Sequence, residues 1–385
     1  MRTRSYIPVS TEALLGHICR RISASPPEIA EPLQVGFSRI RRPLEELEAS
    51  KLIRWDKSAN TCSLNPDFGT LVGIDMGASH LHFALTDFTG RILADTNCKI
   101  RPEAGPRRLM SQIKREIQRL TRQPRGRRLR GLGIGVPSPI DPPTGLALLA
   151  NNLPGWVNVD LRSELEQAFH IPVAIENDAN MAAIGEHWRG VAQRADHFVF
   201  IALGTGIGSG IFVNGQLYRG RTGAAGELGR LHLEWQRWHE DFGDKGYFET
   251  YASGQGIAAM GRTLMGRATE HGNLAEERDA LFVFDAFRRG NPPARQALET
   301  IFTILAAGIA NVVAILDPEL VVLGGGVTKG APEFMLSTIE NVARRIQPNL
   351  PPVRLSALDE RAQTFGAVFS AMTVACHAAL RQKHS

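Results

Sequence analysis

The stretch Phe198-Val-Phe-Ile-Ala-Leu-Gly204-Thr205-Gly206-Ile-Gly208-Ser-Gly210-Ile decides the fold of this chain. Its apolar start predicts a buried strand, its alternating glycines predict a tight loop, and its end predicts a second strand. Backbone N–H groups in such a loop can approach a phosphate closely, because no Cβ intervenes. The stretch therefore indicates an α/β domain with a phosphate-binding loop.

Comparable strands occur on both sides of this stretch. Upstream, residues 71–79 form a predicted strand that ends at Asp75 and a small-residue turn, and the strand at 171–177 delivers Asn177 and Asp178 to the start of a helix. Downstream, the strand at 319–323 meets the glycine turn Gly324-Gly325-Gly326. Polar residues at such strand ends are expected to face a ligand rather than the core.

The first 66 residues have a different pattern. Helical spacing of apolar residues predicts a helix over residues 11–22, and the capping box Ser25-Pro-Pro-Glu28 starts a short second helix. A third helix would bury Phe37, Ile40, Leu44 and Leu47, and a two-strand hairpin follows at residues 52–64. Three helices and a hairpin make a winged helix-turn-helix, whose third helix enters the DNA major groove.

The predicted DNA contacts lie on the outer face of the third helix and in the hairpin turn. They are Ser38, Arg39, Arg41, Arg42 and Lys57. Pro43 lies inside the third helix and predicts a late start or a kink, since proline removes one backbone hydrogen bond. The alternative is a small helical dimerisation module that no longer binds DNA.

The charge is distributed unevenly along the chain. Its 385 residues predict two or three domains, and 44 Lys and Arg against 39 Asp and Glu give a formal charge of +5. Residues 1–67 carry +2, whereas residues 101–130 carry +9. An amphipathic helix is predicted over residues 109–120, with arginines on its outer face. A solvated helix face is the favoured interpretation of these charges, and attraction to phosphates is the alternative.

Composition also bears on compartment and redox chemistry. The four cysteines show no paired spacing, which argues against a disulfide framework and a C-x-x-C metal knuckle. No apolar run follows the basic residues at the start, and the uncharged stretch from Ile301 to Leu316 is too short to span a bilayer. We expect a cytoplasmic protein with no membrane partner.

The motifs together resemble the ROK family (repressors, open reading frames, kinases). The resemblance rests on the stretch from Leu203 to Ile211, Gly220, Gly226-Glu-Leu-Gly-Arg230, Asn151-Asn-Leu-Pro-Gly-Trp156 and Glu176-Asn-Asp-Ala-Asn180. It covers roughly residues 70–380, and the winged helix is similar to that of the repressor branch, which includes the N-acetylglucosamine and xylose repressors. The resemblance implies a two-lobed α/β fold of the actin-like ATPase (ribonuclease H-like) type, with sugar bound between the lobes.

We expect three domains. The winged helix-turn-helix occupies residues 1–66, and a small α/β lobe occupies 67–182 and is completed by a C-terminal helix at 365–385. The large lobe occupies 183–364. The family resemblance further implies a homodimer or a homotetramer.

The resemblance also implies roles for individual residues. Asp178 would be the base that deprotonates a sugar hydroxyl if the chain is a kinase. The sugar contacts implied are Asn152, Asn177, Asp178, Glu227, Arg230 and Glu249. The nucleotide contacts, if nucleotide binding is retained, are Asp75, Gly77, Ser79, Gly204, Thr205, Gly206, Gly324 and Gly325. ATP and Mg²⁺ would be needed only in that case.

The family's zinc loop is altered in this chain. Arg230 replaces the histidine of the Glu-x-Gly-His element, and no cysteine stands in the loop from Glu240 to Glu249. Zinc in that loop needs three thiolates and an imidazole, so we expect no metal. Trp235, Trp238, Phe242 and Tyr247 are expected to pack where zinc would otherwise hold the loop.

Three functions follow from these patterns. The first is a sugar-responsive transcriptional regulator, most simply a repressor, with operator DNA and a sugar or sugar derivative as partners. The second is an ATP-dependent sugar kinase with a regulatory N-terminal domain. The third is a DNA-binding protein whose cleft binds nothing. Arg230 allows an anionic sugar ligand, with a structural salt bridge as its alternative role.

Overall fold

The structure, a computed structural model, describes residues 11–77, 79–101, 105–122, 128–141, 143–150, 153–243, 245–266 and 280–381. The chain divides into two compact units. The first unit comprises Met1–Asp178 and Gln363–Ser385, and the second comprises Ala179–Ala362. Because the first unit includes the N-terminal segment, the winged helix belongs to the same compact body as the first α/β lobe.

The N-terminal segment folds as a winged helix-turn-helix. Helices α1 (Thr11–Arg21), α2 (Pro26–Ala30) and α3 (Phe37–Ala49) are followed by the hairpin strands β2 (Ile53–Asp56) and β3 (Thr61–Leu64). The short strand β1 (Ser23–Ala24) pairs with β3, giving the sheet order β1-β3-β2. At the start of α2, the Glu28 carboxylate accepts hydrogen bonds from the backbone N–H and the hydroxyl of Ser25, at 2.8 and 2.7 Å.

Helix α3 differs from its prediction in two respects. It continues through Pro43 from Phe37 to Ala49, so the proline neither delays its start nor ends it. Ile40, Leu44 and Leu47 are buried as predicted, but the Phe37 side chain is 45 % exposed. Phe37 lies at the first helical position and contacts Trp55 of the wing edge-on, with ring centroids 6.3 Å apart.

A mixed five-stranded sheet forms the α/β lobe of the first unit. Its strands are β4 (Thr70–Met76), β5 (His80–Asp87), β6 (Ile92–Lys99), β7 (Leu129–Val136) and β10 (Val173–Asn177), in the order β10-β7-β4-β5-β6. Strands β4, β7 and β10 are parallel, and β5 is antiparallel to both of its neighbours. Helices α4 (Gly105–Thr121) and α5 (Leu161–Phe169) and the small hairpin β8 (Ala147–Leu149) and β9 (Val157–Val159) complete the lobe.

The second unit is built on another five-stranded sheet. Its strands are β11 (Phe198–Leu203), β12 (Ile207–Val213), β13 (Gln216–Leu217), β14 (Leu320–Gly324) and β15 (Val353–Leu355), in the order β13-β12-β11-β14-β15. Helix α6 (Asp178–Arg189) packs against the side chains of Phe198 and Phe200, which alternate along β11 with Val199 and Ile201. The latter residues face the main core, as the twofold periodicity of a strand requires.

That main core is formed by helices on the other face of the sheet. They are α7 (Tyr247–Ala252), α8 (Gly254–Met265), α9 (Leu281–Arg288), α10 (Pro292–Leu316) and α11 (Pro332–Ile346). The longest of them, α10, buries twelve side chains or glycine backbones along its length. These residues form a large part of the core cluster on this face of the sheet.

The C-terminal helix α12 (Arg361–Arg381) returns to the first unit and lies directly on its sheet. A Cβ on Gly133 would lie 1.9 Å from the carbonyl oxygen of Ala367, and one on Gly131 would lie 2.5 Å from that of Ala371. The alternating glycines of β7 therefore allow the close approach of this helix. The thiol of Cys376 on α12 lies 3.7 Å from the thiol of Cys19 on α1, so α1 of the winged helix packs against α12.

Within the described ranges, two helices, α10 and α12, are long and apolar enough to cross a membrane by length and composition, with mean hydropathies of 2.0 and 1.2. About half of each apolar window is buried, 56 % and 50 % respectively. Core helices of this kind meet the same criterion, because a helix that packs on several sides is apolar around most of its circumference.

Candidate functional site

The carboxyl ends of three parallel strands meet at one edge of the first sheet. Asp75 pairs with Gly135, and Asn177 pairs with Val136, which places their strand ends side by side. The backbone N–H of Asn177 donates to the Glu176 carboxylate at 3.0 Å, and its side-chain amide lies 3.5 Å from the Ser138 carbonyl oxygen. The first unit thus brings together Asp75, Asn177 and Asp178.

Asp178 begins helix α6, directly after β10. A carboxylate in the first turn is favoured by the positive end of the helix dipole. The position fits a group that accepts hydrogen bonds from a polyhydroxyl ligand. Asn152, the other predicted sugar contact of this part of the chain, lies outside the described residues.

The turn after β4 is partly filled by a histidine. A Cβ on Gly77 would lie 2.3 Å from Cε1 of His80, and Nε2 of His80 lies 3.9 Å from the largely buried Asp75 carboxylate. Ser79 is exposed, and Ala78 lies outside the described residues. The ring of His80 therefore packs directly against Gly77 and lies near the Asp75 carboxylate.

Two glycine turns lie together at the carboxyl edge of the second sheet. The residues Gly204, Thr205 and Gly206 join β11 to β12, and Gly324 and Gly325 follow β14, which is parallel to β11. Gly325 has a φ of +95°, and a Cβ there would lie 2.5 Å from the carbonyl oxygen of Leu203. The Gly204 carbonyl accepts from the N–H of Gly254 at 2.9 Å. The predicted nucleotide contacts of this unit thus share one edge.

Glu249 on α7 lies against this edge. Its carboxylate accepts a hydrogen bond from the backbone N–H of Ile207 at 2.9 Å, and a Cβ on Gly206 would lie 2.7 Å from the same oxygen. Burial raises the pKa of Glu249 above its ordinary value, although the hydrogen bond from Ile207 and the charges of Lys245 and Arg230 oppose this shift. The carboxylate is therefore a partly desolvated acceptor, as expected of a group that contacts a ligand hydroxyl.

Arg230 lies close to Glu249 and is exposed. Its backbone is held by Gly246, where a Cβ would lie 2.5 Å from Cα of Arg230. Within the described ranges its guanidinium forms no ion pair, so the predicted alternative of a structural salt bridge is not observed there. Glu227 is also exposed, three residues earlier. The second unit therefore brings Glu227, Arg230 and Glu249 to one site.

The residues present do not fit a zinc ion at the altered loop. In the part of the chain that is described, no group of three or more His, Cys, Asp or Glu side chains is arranged to hold a metal. Instead, the rings of Phe242, Tyr247 and Tyr251 pack together, with centroids 4.8–6.2 Å apart. His232 packs against Phe242 and Tyr247, and the Arg237 guanidinium lies 5.1 Å from the Tyr251 ring.

The aromatic packing was predicted correctly only in part. Phe242 and Tyr247 belong to the cluster, but Trp235 and Trp238 are 79 % and 77 % exposed. They lie on and directly after a short turn in which no side chain is buried, and Tyr251 and His232 are the further members of the cluster. Helical spacing around α7 would have indicated Tyr251, which lies four residues after Tyr247.

The predicted DNA contacts lie on the exposed surface of the winged helix. Ser38, Arg41 and Arg42 are exposed on α3, and Arg39 is half-buried. Arg41 pairs with Glu45 at 3.1 Å and Arg42 with Glu46 at 3.2 Å. In the wing, the Lys57 ammonium lies 5.5 Å from the centre of the Trp55 ring.

His80, Ser138 and Lys245 were not singled out from the sequence. Lys245 lies near Glu249 and bonds the Gln255 side chain, and His80 adjoins Asp75. The only signal available for His80 was its place directly after the turn motif. Ser138 and Lys245 carried no signal, because their proximity to the site depends on strand pairing and on loop packing.

Comparisons with known proteins agree with this architecture. The ROK family model matches residues 71–373. The xylose repressor of Caldicellulosiruptor bescii is 30 % identical over 316 residues, which cover 79 % of this chain and 78 % of the repressor. The glucokinase of Thermotoga maritima is 32 % identical over 286 residues, which cover 72 % of this chain and 89 % of the kinase.

A solved structure matches nearly the whole chain. It is a ROK family transcriptional regulator, a homologue of the E. coli Mlc protein, with a TM-score of 0.81 and 23 % identity. The match covers 97 % of this chain and 98 % of the regulator. Fold and site thus define a protein of the actin-like ATPase type preceded by a winged helix-turn-helix. The chain belongs to the ROK family.

Proposed function

We propose that this protein is a sugar-responsive DNA-binding repressor. The observation that carries the proposal is the winged helix-turn-helix, which forms one compact unit with an α/β lobe of the ROK domain. A sugar kinase has no need of such a domain. The likeness to a xylose repressor over 79 % of the chain supports the same function.

The ligand would be a sugar or a sugar derivative. Glu249 and Glu227 offer acceptors for hydroxyl groups, and the exposed guanidinium of Arg230 offers two parallel donors for a phosphate or a carboxylate. Asp178 and Asn177 are proposed to contact sugar hydroxyls as well. Because linkage is reciprocal, a ligand that weakens DNA binding is bound less tightly by the DNA-bound protein.

An ATP-dependent sugar kinase is the second candidate. It is favoured by the retained Asp178 and glycine turns, and by the likeness to a glucokinase. The ring of His80 beside Gly77 and the replacement of the zinc ligands oppose it. A homodimer or homotetramer, which would present two winged helices to a palindromic operator, is part of the proposal.

The test is to recover and sequence the DNA that the full-length protein retains from fragments of its own genome. We expect a few enriched fragments that share a palindromic site. A coupled assay with ATP, Mg²⁺ and a panel of hexoses is run on the same preparation. Turnover in the ordinary enzyme range of roughly 1–10³ s⁻¹, without sequence-selective DNA retention, would favour the kinase instead. Metal analysis of protein purified without chelator tests the expected absence of zinc, which stoichiometric zinc would refute.

A further inference from the structure

Helix α4 exposes a row of arginines. Its apolar face is buried against the sheet through Leu109, Met110, Ile113, Ile117 and Leu120. On its outer face and just beyond its end, the exposed cations are Arg107, Arg108, Arg115, Arg122 and Arg128. Ion pairs neutralise Lys114, which bonds Glu164 at 2.9 Å, and Arg119, which bonds Glu116 at 2.7 Å. Among the described residues, the five exposed arginines have no such partner.

The row has a direction relative to the winged helix. Arg108, Arg115 and Arg122 recur every seven residues, which places them along one side of the helix at intervals of about 10 Å. The far end of the row reaches the junction between the winged helix and the sheet. There the Arg128 carbonyl accepts from the N–H of Thr70 at 3.1 Å, and the Arg130 guanidinium bonds the Phe68 carbonyl at 2.8 Å.

The two ends of α4 therefore differ in position. Pro66–Phe68 form the turn that links β3 of the winged helix to β4 of the sheet. Arg128 lies beside this link. Arg122 directly follows the last residue of α4, and near this end of the helix Arg119 bonds the Thr96 hydroxyl of β6 at 3.0 Å. Strand β6 begins opposite Thr86, next to the Asp87 that pairs with Thr70, so this end of α4 lies toward the link. Arg107 and Arg108 belong to the first turn of the helix, about 20 Å away along its axis.

The charge of the winged helix indicates what the row binds. Sequence-independent attraction to phosphates supplies much of the affinity of proteins for DNA. In the winged helix, Arg41, Arg42 and Lys57 each lie within 3.1–4.0 Å of a glutamate, which offsets part of their charge. The five exposed arginines on and just beyond α4 add cations that have no such partner among the described residues. A DNA duplex held by the winged helix is the polyanion that such cations complement.

We propose that Arg122 and Arg128, the junction arginines, bind the phosphate backbone of DNA that flanks the site contacted by the winged helix. The proposal rests on the proposed function, since it assigns a second surface to the same DNA partner. It also changes the interpretation of the +9 segment, for which a solvated helix face was favoured from sequence alone. The junction arginines position the duplex without selecting its sequence.

The salt dependence of DNA binding tests the proposal. The affinity of the full-length protein is measured against salt concentration for a fragment retained from its genome and for a scrambled duplex of equal length. Each phosphate contact contributes about 0.9 to the slope of log K against log salt. The double variant R122A/R128A should lower the slope by about 1.8 on both duplexes, relative to wild type. The control variant R107A/R108A removes the same charge from the other end of α4 and should leave the slope unchanged.

The remaining outcomes are also decisive. The variant R122K/R128K keeps both charges and should retain the wild-type slope. An equal decrease of the slope in R122A/R128A and in R107A/R108A would show an effect of net charge alone and would overturn the proposal. An unchanged slope in R122A/R128A would overturn it as well. If R122A/R128A lost binding to anionic vesicles or to an acidic protein while its DNA binding stayed unchanged, the junction arginines would be assigned to another partner and the proposal would be overturned. Failure of the wild-type protein to bind either duplex would refute the proposed function itself.

Discussion

Arg230 is the residue at which this chain departs most from the sugar-kinase pattern, because it replaces a histidine in an otherwise retained Glu-x-Gly-His element. Its exposed guanidinium lies near the half-buried carboxylate of Glu249 and, among the described residues, has no carboxylate bonded to it. An exposed arginine beside carboxylates that are proposed to bind hydroxyl groups favours a ligand with both hydroxyl groups and an anionic group.

Substitution of Arg230 should therefore discriminate between charged and neutral ligands. Glucose 6-phosphate or gluconate should raise the Tm of the wild-type protein more than glucose does. Arg230→Ala should weaken binding of the anionic ligand about 10- to 100-fold, the equivalent of a charge-assisted hydrogen-bond contribution of about 1.5–3 kcal/mol. Thermal-shift titrations measure both effects. Equal binding of charged and neutral sugars by both proteins would contradict this role.

Glu249 should make stability depend on pH. Its pKa lies above the ordinary value of 4.5, mainly because of burial, so folding favours the protonated carboxyl. The stability that this group contributes is fully present below about pH 4.5 and is lost as the pH rises through the folded-state pKa. Relative to Glu249→Gln, which mimics the protonated form, the Tm of the wild-type protein should fall as the pH rises above about 4.5. Glu333→Gln, at an exposed position of α11, is the control, and parallel pH profiles for wild type and Glu249→Gln would be the contrary result.

At the scale of elements, helix α12 links the ligand-facing edge of the first sheet to the winged helix. Near its start, Gln363 donates to the Gly135 carbonyl at 3.3 Å, and the Thr364 hydroxyl lies 2.8 Å from Nδ1 of His82. Farther along, the thiols of Cys376 and Cys19 are in contact, and burial together with this contact raises the pKa of Cys376. One helix thus contacts both parts of the unit that DNA and ligand are proposed to bind.

A matched pair of glycine substitutions tests the packing of α12. Gly133→Ala places a Cβ 1.9 Å from a backbone carbonyl of α12, so we expect a destabilisation of about 2 kcal/mol or more. Gly16→Ala lies in α1 with no atom within 4 Å of the new Cβ, and should stabilise by about 0.5–1 kcal/mol. Urea unfolding measures both. The same sign of change in the two variants would contradict this packing.

Much of this arrangement could be predicted from the local sequence pattern. Apolar spacing located α1 and α3, and strand-and-glycine patterns located the strand ends that carry Asp75, Asn177 and Asp178, together with the glycine turns of the second sheet. Glu249 was predicted only from the family resemblance. Contacts between residues that are far apart in sequence could not be predicted in this way. The sequence around Cys19 and Cys376 does not indicate that these two residues are in contact. The predicted burial of Phe37 was wrong, because this residue lies at the start of the helix and contacts the wing rather than the core. The continuity of α3 through Pro43 likewise depends on packing that the local rule does not include.

At the scale of the whole molecule, a ROK domain that is matched by both repressors and kinases carries a winged helix within its first compact unit. The ring of His80 lies against the turn that was predicted to contact nucleotide, and carboxylates stand at the positions that were predicted to contact sugar. This combination supports the proposed conversion of sugar binding into a change in DNA affinity.

The most direct measurement is a titration of the recovered operator fragment with full-length protein, followed by fluorescence anisotropy, with and without a saturating sugar or sugar phosphate found by thermal shift. We predict sequence-selective binding whose Kd rises about 5- to 150-fold with the ligand, the range of ordinary allosteric coupling. Operator binding that no such ligand alters, or no selective binding together with ATP-dependent sugar phosphorylation, would contradict it.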